Sequence, residues 1–267
     1  MMKYGVIGLG NMASAIVLGM HKNGMFENNS ICGYDCDEKK MQALADQVGL
    51  QPCASARDVV LDSDVVLLAV KPQVMPDVLL QIKDAVDSTK LIVTIAAGKP
   101  LAFYEQAFGE KQPVVRVMPN INARVQAAAS AICPNEAATQ AQTDIVRAMF
   151  ESIGRVWQLP EQHFAAFAAI GGASGAFVYL YIDALASAGV KAGLPRDLAQ
   201  EIACATVLGS AKLQMASDEH PARLCDQVCS PGGTTIEGVH VLKKLGFESA
   251  VQQAIDAIIE KDHKLAK

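Results

Sequence analysis

The sequence predicts a two-part α/β protein: a βαβ-type domain over residues 1–160 and an all-helical domain over 161–267. Three observations carry that expectation. Short apolar runs alternate with amphipathic stretches in the first part, which is the rhythm of a sheet covered by helices. A glycine cluster, Gly8-Leu9-Gly10-Asn11-Met12-Ala13, sits between the first such run and the first amphipathic stretch. Beyond Pro160 no convincing strand remains, and Ala, Leu and Ile recur at helical spacing.

Taken in order, residues 4–7 read as a strand and 11–23 as a helix stopped by Gly24. Residues 31–34 form the next strand, followed by a helix over 38–47 that Gly49 ends. The run Asp64-Val-Val-Leu-Leu-Ala-Val70 is nearly all β-branched residues and Leu, as a strand buried on both faces requires. Residues 91–95 and 114–118 repeat that pattern. Pro72, Pro100 and Pro119 each follow such a run, where the chain must turn. In the second part, 163–188, 195–215 and 247–264 read as helices, interrupted by Gly-Val-Lys-Ala-Gly-Leu-Pro and by Ser230-Pro-Gly-Gly.

Composition narrows the function. The 267 residues are 51% hydrophobic and 19% charged, enough apolar material for a sizeable core and against wholesale disorder. Lys and Arg total 23 against 28 Asp and Glu, a net charge of −5, so no basic excess exists to bind nucleic acid or an anionic membrane. Seven cysteines form no CxxC pair and the five histidines show no metal spacing, so no metal site is expected. Cys225 and Cys229, one helical turn apart, read as buried thiols. Reduced thiols and the lack of a secretory pattern at the start point to the cytoplasm. Residues 164–182 carry no charge over the length of a membrane span. Their richness in Gly, Ala and Ser, with Asp183 and Lys191 following, favours a helix buried in a core or a subunit interface.

The glycine cluster fits G-x-G-x-x-G/A after a strand and at the mouth of a helix, the dinucleotide fingerprint of a Rossmann-type domain. Gly8 permits the tight turn, Gly10 lets a pyrophosphate approach the backbone, and Ala13 packs closely; Leu9, Asn11 and Met12 complete the loop. The helix N-terminus then offers N–H groups to phosphate. Asp35, at the end of the second strand, is placed to accept from a ribose 2′-OH. Asp37 follows, with Lys39 and Lys40 further on, so the local signs lean to NADH over NADPH. In the second part, Ser230-Pro231-Gly232-Gly233-Thr234-Thr235 forces a turn and opens an apolar helix. Its hydroxyls and unpaired N–H groups suit a carboxylate, or it is simply a capped helix.

These stretches together resemble the pyrroline-5-carboxylate reductase family over essentially the whole chain. SPGGTT at 230–235 downstream of GLGNMA at 8–13 is one part of the likeness. Val70-Lys71-Pro72, Ala96-Ala97-Gly98, Met118-Pro119-Asn120 and the run 188–195 (AGVKAGLP) are the others. The chain departs from the family where Ile121-Asn122-Ala123 replaces T-P-A and where residues 171–176 read GGASGA in place of S-G-S-G-P-A. Asp183 stands where Glu is common.

The resemblance implies reduction of 1-pyrroline-5-carboxylate to L-proline with NADPH or NADH, the last step of proline biosynthesis. It also implies a helical dimerisation domain, and hence a homodimer or a larger assembly of dimers. It places Gly8, Leu9, Gly10, Asn11, Met12, Ala13, Asp35, Val70, Lys71, Pro72, Ala96, Ala97, Gly98 and Asn120 around the cofactor. Substrate contacts fall to Ser230, Gly232, Gly233, Thr234 and Thr235, with the Thr235 hydroxyl as the catalytic contact. Lys71 reads either as a contact near the nicotinamide ribose or as a solvated loop cation. Asn120 either holds the nicotinamide amide or caps the segment that follows. The rival readings are another imine or 3-hydroxyacid reductase using Lys191, and a non-catalytic dinucleotide-binding paralogue.

Overall fold

In the computed structural model, which describes residues 1–265, the chain divides into two compact units. The first holds residues 1–172 with the C-terminal segment from Lys261, and the second holds Ala173–Glu260. Residues 266 and 267, the end of the expected helical domain, and the side chains of His263 and Leu265 lie outside the description.

The first unit is built on one sheet of eight strands. β1 (Lys3–Ile7), α1 (Asn11–Lys22), β2 (Ser30–Tyr34) and α2 (Glu38–Val48) open it, followed by the two-residue β3 (Gln51–Pro52). α3 (Ala56–Leu61), β4 (Val65–Leu68), α4 (Met75–Ile82), β5 (Leu91–Thr94), α5 (Leu101–Phe108) and β6 (Val114–Met118) continue the alternation. β7 (Ala128–Pro134), α6 (Gln140–Glu151) and β8 (Gly154–Gln158) close it. The strand order is β3-β2-β1-β4-β5-β6-β7-β8, parallel throughout except where β7 runs antiparallel to β6.

Alternating side chains explain the apolar strands. Val65 and Leu67 of β4 join Leu91, Val93, Val115 and Val117 in a core under α1, α2 and α6. Val66 and Leu68 face the other way and meet Ile92, Val114 and the helices α3, α4 and α5. Both faces are therefore covered, as parallel sheets demand. The switch in strand order falls at β1, between β2 and β4, which opens a crevice at the carboxyl ends of these strands.

The helix expected over 163–188 is three segments: α7 (Phe164–Phe167), a π-helical turn (Ala168–Ala173) and α8 (Gly175–Lys191). A π turn takes an extra residue per turn, and the Gly171-Gly172 pair gives the backbone room for it. At the start of this run a partly buried ion pair, Arg116 buried and Glu161 half-buried, ties it to the sheet. Arg116 Nη1 on β6 lies 2.7 Å from Glu161 Oε1, and the guanidinium sits over the Phe164 ring. The same Glu161 oxygen accepts from the Leu101 N–H at the start of α5.

The second unit contains α8, α9 (Arg196–Met215), α10 (Pro221–Val228), α11 (Thr234–Lys244) and most of α12 (Phe247–Leu265). Only Ala186, Ala199 and Ala203 are buried in it among the described residues. Its large apolar side chains stand open, with Leu180 71% and Tyr179 61% exposed. An apolar groove of about 670 Å³ runs between Phe177, Tyr181, Val207, Leu242 and Phe247. The 31-residue segment Glu161–Lys191 is long and apolar enough to cross a membrane, yet only 6% of its apolar window is buried. Phe164 and Ala169 are buried, Phe164 in the core of the first unit, while most of 164–182 stands open in the single chain. Cys225 is exposed and Cys229 half-buried, which corrects the expectation of two buried thiols; α10 has no apolar layer over it.

Candidate active site

The crevice of the first unit is a cleft of about 760 Å³. Gly10, Asn11 and Met12 line it from the glycine loop, and Val70, Lys71 and Pro72 from the turn after β4. Ala96 and Ala97 enter after β5, Met118, Pro119 and Ile121 after β6, and Ala168 and Gly172 from the π turn.

The loop's geometry follows from its glycines. Gly8 has φ +90°, and a Cβ there would come within 2.8–2.9 Å of Val70 Cγ1 and the backbone of residues 69 and 70. Its N–H donates to Tyr34 O at 2.8 Å, which fixes the turn against β2. Gly10 is the N-cap of α1 in ordinary extended geometry, and a Cβ there would meet nothing within 4 Å. The space above Gly10 is thus open cleft at a helix N-terminus, a cradle that suits a pyrophosphate. Leu9 and Ala13 are fully buried and act through packing.

Asp35 is held tightly. Its Oδ2 accepts from the Leu9 N–H at 2.7 Å and its Oδ1 from the Asp37 N–H at 2.9 Å, while Lys40 Nζ stands 3.6 Å away. Burial raises the pKa of the carboxyl, but the Leu9 and Asp37 N–H groups and the Lys40 charge more than offset it, so the group lies below the usual carboxylate range. Lys40 lines the cleft, a contact the sequence only hinted at; Lys39 is exposed, and its N–H donates to Asp37 Oδ1.

Gly98 turns the chain after β5 with φ +69° and is not among the lining residues. Nor is Asn120, whose side chain is spent on the backbone. Its Oδ1 caps the following 3-10 turn by accepting from the Asn122 N–H, and it accepts from the Ala129 N–H as well. Its Nδ2 donates to Gly171 O at 2.7 Å. Of the two readings of Asn120, the cap is the one displayed, because both ends of the amide already have partners.

In the second unit, Ser230, Gly232, Gly233, Thr234 and Thr235 form one turn between α10 and α11. Gly232 takes φ +67°, and the Gly233 N–H donates to Ser230 O at 3.0 Å. Gly233, not a threonine, is the N-cap of α11, and it offers no side chain. Thr234 and Thr235 therefore occupy the first helical positions, with N–H groups that have no intrahelical acceptor. The Thr235 hydroxyl is exposed and makes no hydrogen bond among the described residues. A carboxylate held here would meet the Ser230 hydroxyl and the Thr234 and Thr235 N–H groups; Gly233's own N–H is already engaged. Lys191 stands exposed at the end of α8. No cluster of three metal-ligating side chains occurs among the described residues.

Comparison with known proteins extends the geometry to the whole chain. The family described as pyrroline-5-carboxylate reductase dimerisation matches residues 161–265, and the family of coenzyme F420-dependent NADP oxidoreductases matches residues 3–98. The pyrroline-5-carboxylate reductase of Pisum sativum is 39% identical over 262 residues, covering 98% of this chain and 95% of that protein. The solved structure of a pyrroline-5-carboxylate reductase from Coxiella burnetii superposes with a TM-score of 0.95 at 29% identity, over 100% of this chain and 99% of that one. The Plasmodium falciparum pyrroline carboxylate reductase, solved with NADP bound, gives 0.85 at 30% identity, over 100% and 98%. With relatives matched from end to end, the chain belongs to the pyrroline-5-carboxylate reductase family.

Proposed function

We propose that this chain reduces the ring C=N bond of 1-pyrroline-5-carboxylate to give L-proline, with NADH or NADPH as reductant. The observation that carries the reading is the presence, in one chain, of two glycine turns fitted to different anions. One is the open cradle over Gly10 in a dinucleotide-sized cleft; the other is the Ser230–Thr235 turn, which presents hydroxyl and N–H donors. Residues 1–160 then serve the dinucleotide and 161–267 the substrate and dimerisation, a division that the dimerisation match over 161–265 supports.

In this reading Gly10, Asn11 and Met12 hold the pyrophosphate at the N-terminus of α1, and Lys71 contributes a cation on the β4 side of the cleft. A bound reduced nicotinamide supplies a hydride to the imine carbon. Ser230 and the first N–H groups of α11 hold the substrate carboxylate. The Thr235 hydroxyl bonds the ring nitrogen; a hydroxyl of ordinary acidity is a poor proton donor, so water is the proton source behind it. An iminium is already electrophilic, so orientation and exclusion of water make up most of the protein's task.

Asp35 favours NADH, because its one uncommitted oxygen lone pair can take a 2′-OH but repels a 2′-phosphate. Lys40, 3.6 Å away, is the cation through which NADPH gains a foothold. The exposed apolar face of the helical unit is covered by a second copy in a homodimer, and the protein works in the cytoplasm. Steady-state kinetics with pyrroline-5-carboxylate and a ring-expanded cyclic imine, each with both cofactors, tests the whole reading. The five-membered imine should have the higher kcat/KM, and NADH should exceed NADPH. No oxidation of either cofactor in the presence of either imine would overturn it.

A further inference from the structure

Asn120 lies between Pro119 and Ile121, which both line the cleft, yet its own side chain points inward and is only 9% exposed. Two backbone N–H groups converge on Oδ1 and one carbonyl receives Nδ2, so the amide can sit in one orientation only. The carbonyl belongs to Gly171, 51 positions away, inside the π turn Ala168–Ala173. Such turns depart from the regular helical ladder, and this carbonyl accepts from outside the helix, from the connection between β6 and β7. Ala168 and Gly172 of this turn form part of the cleft wall. A Cβ at Gly172 would meet no neighbour within 4 Å.

Strand order indicates which half of the cleft this wall serves. Asp35 directly follows β2 and marks the adenosine side, and the glycine loop after β1 marks the pyrophosphate. The other half of a dinucleotide must extend over the ends of β4, β5 and β6. Met118, two residues before Asn120, ends β6.

We propose that Asn120 is a positioning residue for hydride transfer: its bond to Gly171 O holds the Ala168–Gly172 wall against the nicotinamide half of the cleft. The inference rests on the reading that this cleft takes a reduced dinucleotide. Asn120 acts through the wall and touches neither cofactor nor substrate. A wall displaced by about 1 Å can cost on the order of 100-fold in rate when it orients the reacting ring.

Asn120→Asp isolates the bond. The carboxylate still accepts from the Asn122 and Ala129 N–H groups, but it turns an oxygen toward the Gly171 carbonyl and cannot donate to it. Binding of ADP-ribose, which lacks the nicotinamide, is measured beside NADH binding by nicotinamide fluorescence. We expect ADP-ribose affinity to hold, NADH affinity to weaken, and kcat to fall at least about tenfold. The isotope effect with 4-deuterated NADH should rise as the chemical step becomes limiting. Gly172→Val, whose side chain would project from the wall without touching the Asn120 bond, should give the same pattern. A lower Tm with normal kcat and isotope effect in Asn120→Asp would overturn the proposal, as would equal weakening of ADP-ribose and NADH. If Asn120→Asp fails to fold, a normal kcat in Gly172→Val overturns it instead. Wild-type protein that binds neither ADP-ribose nor NADH would refute the dinucleotide reading itself, a distinct outcome.

Discussion

Two glycines two positions apart in the cradle should fail in opposite ways when given side chains. At Gly8 the backbone has φ +90°, and a new Cβ would press on backbone atoms of residues 69 and 70 at 2.9 Å. The unfavourable φ costs about 1–2 kcal/mol and the overpacking about 1–3 kcal/mol, so Gly8→Ala should lose roughly 2–5 kcal/mol of stability. For a chain of this size that lowers Tm by on the order of 10 °C. At Gly10 the backbone is extended and the space around a Cβ is empty. Gly10→Val should therefore cost at most about 1 kcal/mol, the price of a poorer N-cap. It would, however, occupy the volume over the α1 N-terminus. Losing two charge-assisted N–H contacts there, at about 1.5–3 kcal/mol each, weakens dinucleotide binding by roughly 100-fold or more. Thermal melting without ligand and an NADH fluorescence titration on both variants separate the effects. Wild-type NADH affinity in Gly10→Val, or an unchanged Tm in Gly8→Ala, would refute the reasoning.

The other expectations are as specific. Thr235→Ala should change stability by less than about 0.5 kcal/mol, since Gly233 is the cap, while kcat/KM falls about 100-fold; normal kinetics would remove Thr235 from the site. Glu161→Ala leaves Arg116 unpaired in the sheet and frees the Leu101 N–H, which should cost about 3 kcal/mol and show as a Tm lower by roughly 6–12 °C. Asp35→Asn should shift the NADPH-to-NADH ratio of Kd values toward NADPH. The lowered pKa of Asp35 means its contribution to stability is present above the usual carboxylate range and lost as pH falls through the lowered value. The Tm gap between wild type and Asp35→Asn should accordingly close below about pH 4. Light scattering at micromolar concentration should find no folded monomer.

Much of the first unit was legible because its strands are continuous runs of Val, Ile and Leu, and because glycine marks the cradle. Residues 128–134 were not legible as a strand: Ala-Ala-Ser-Ala has weak strand preference, and pairing with β6 and β8 decides its state. The π turn hid inside a run whose apolar spacing reads as one helix, with Gly171-Gly172 as its only marker. Asn120 shows the limit most clearly. Its cap over the next turn is a local pattern, whereas its bond to Gly171 spans 51 positions and exists only once the chain has folded. Lys40 was visible as a charge shortly after Asp35, but that it, not Lys39, faces the cleft depends on where α2 sits.

The small interior of the helical unit, Ala186, Ala199 and Ala203 with Ile182, Leu185 and Val190 partly buried against them, sets the terms on which one chain can meet another. In the proposed homodimer, a unit with so little of its own to bury would gain its interior from the second copy, so separation and unfolding would become nearly one event. Two differently tagged preparations mixed after purification would then keep their original pairings for as long as neither unfolds, while the same two chains made together would yield hybrids. A chain damaged only in its dinucleotide cleft would still be accepted as a twin. Its effect on the cell would be felt through every healthy chain it captured, in proportion to how much of it was made.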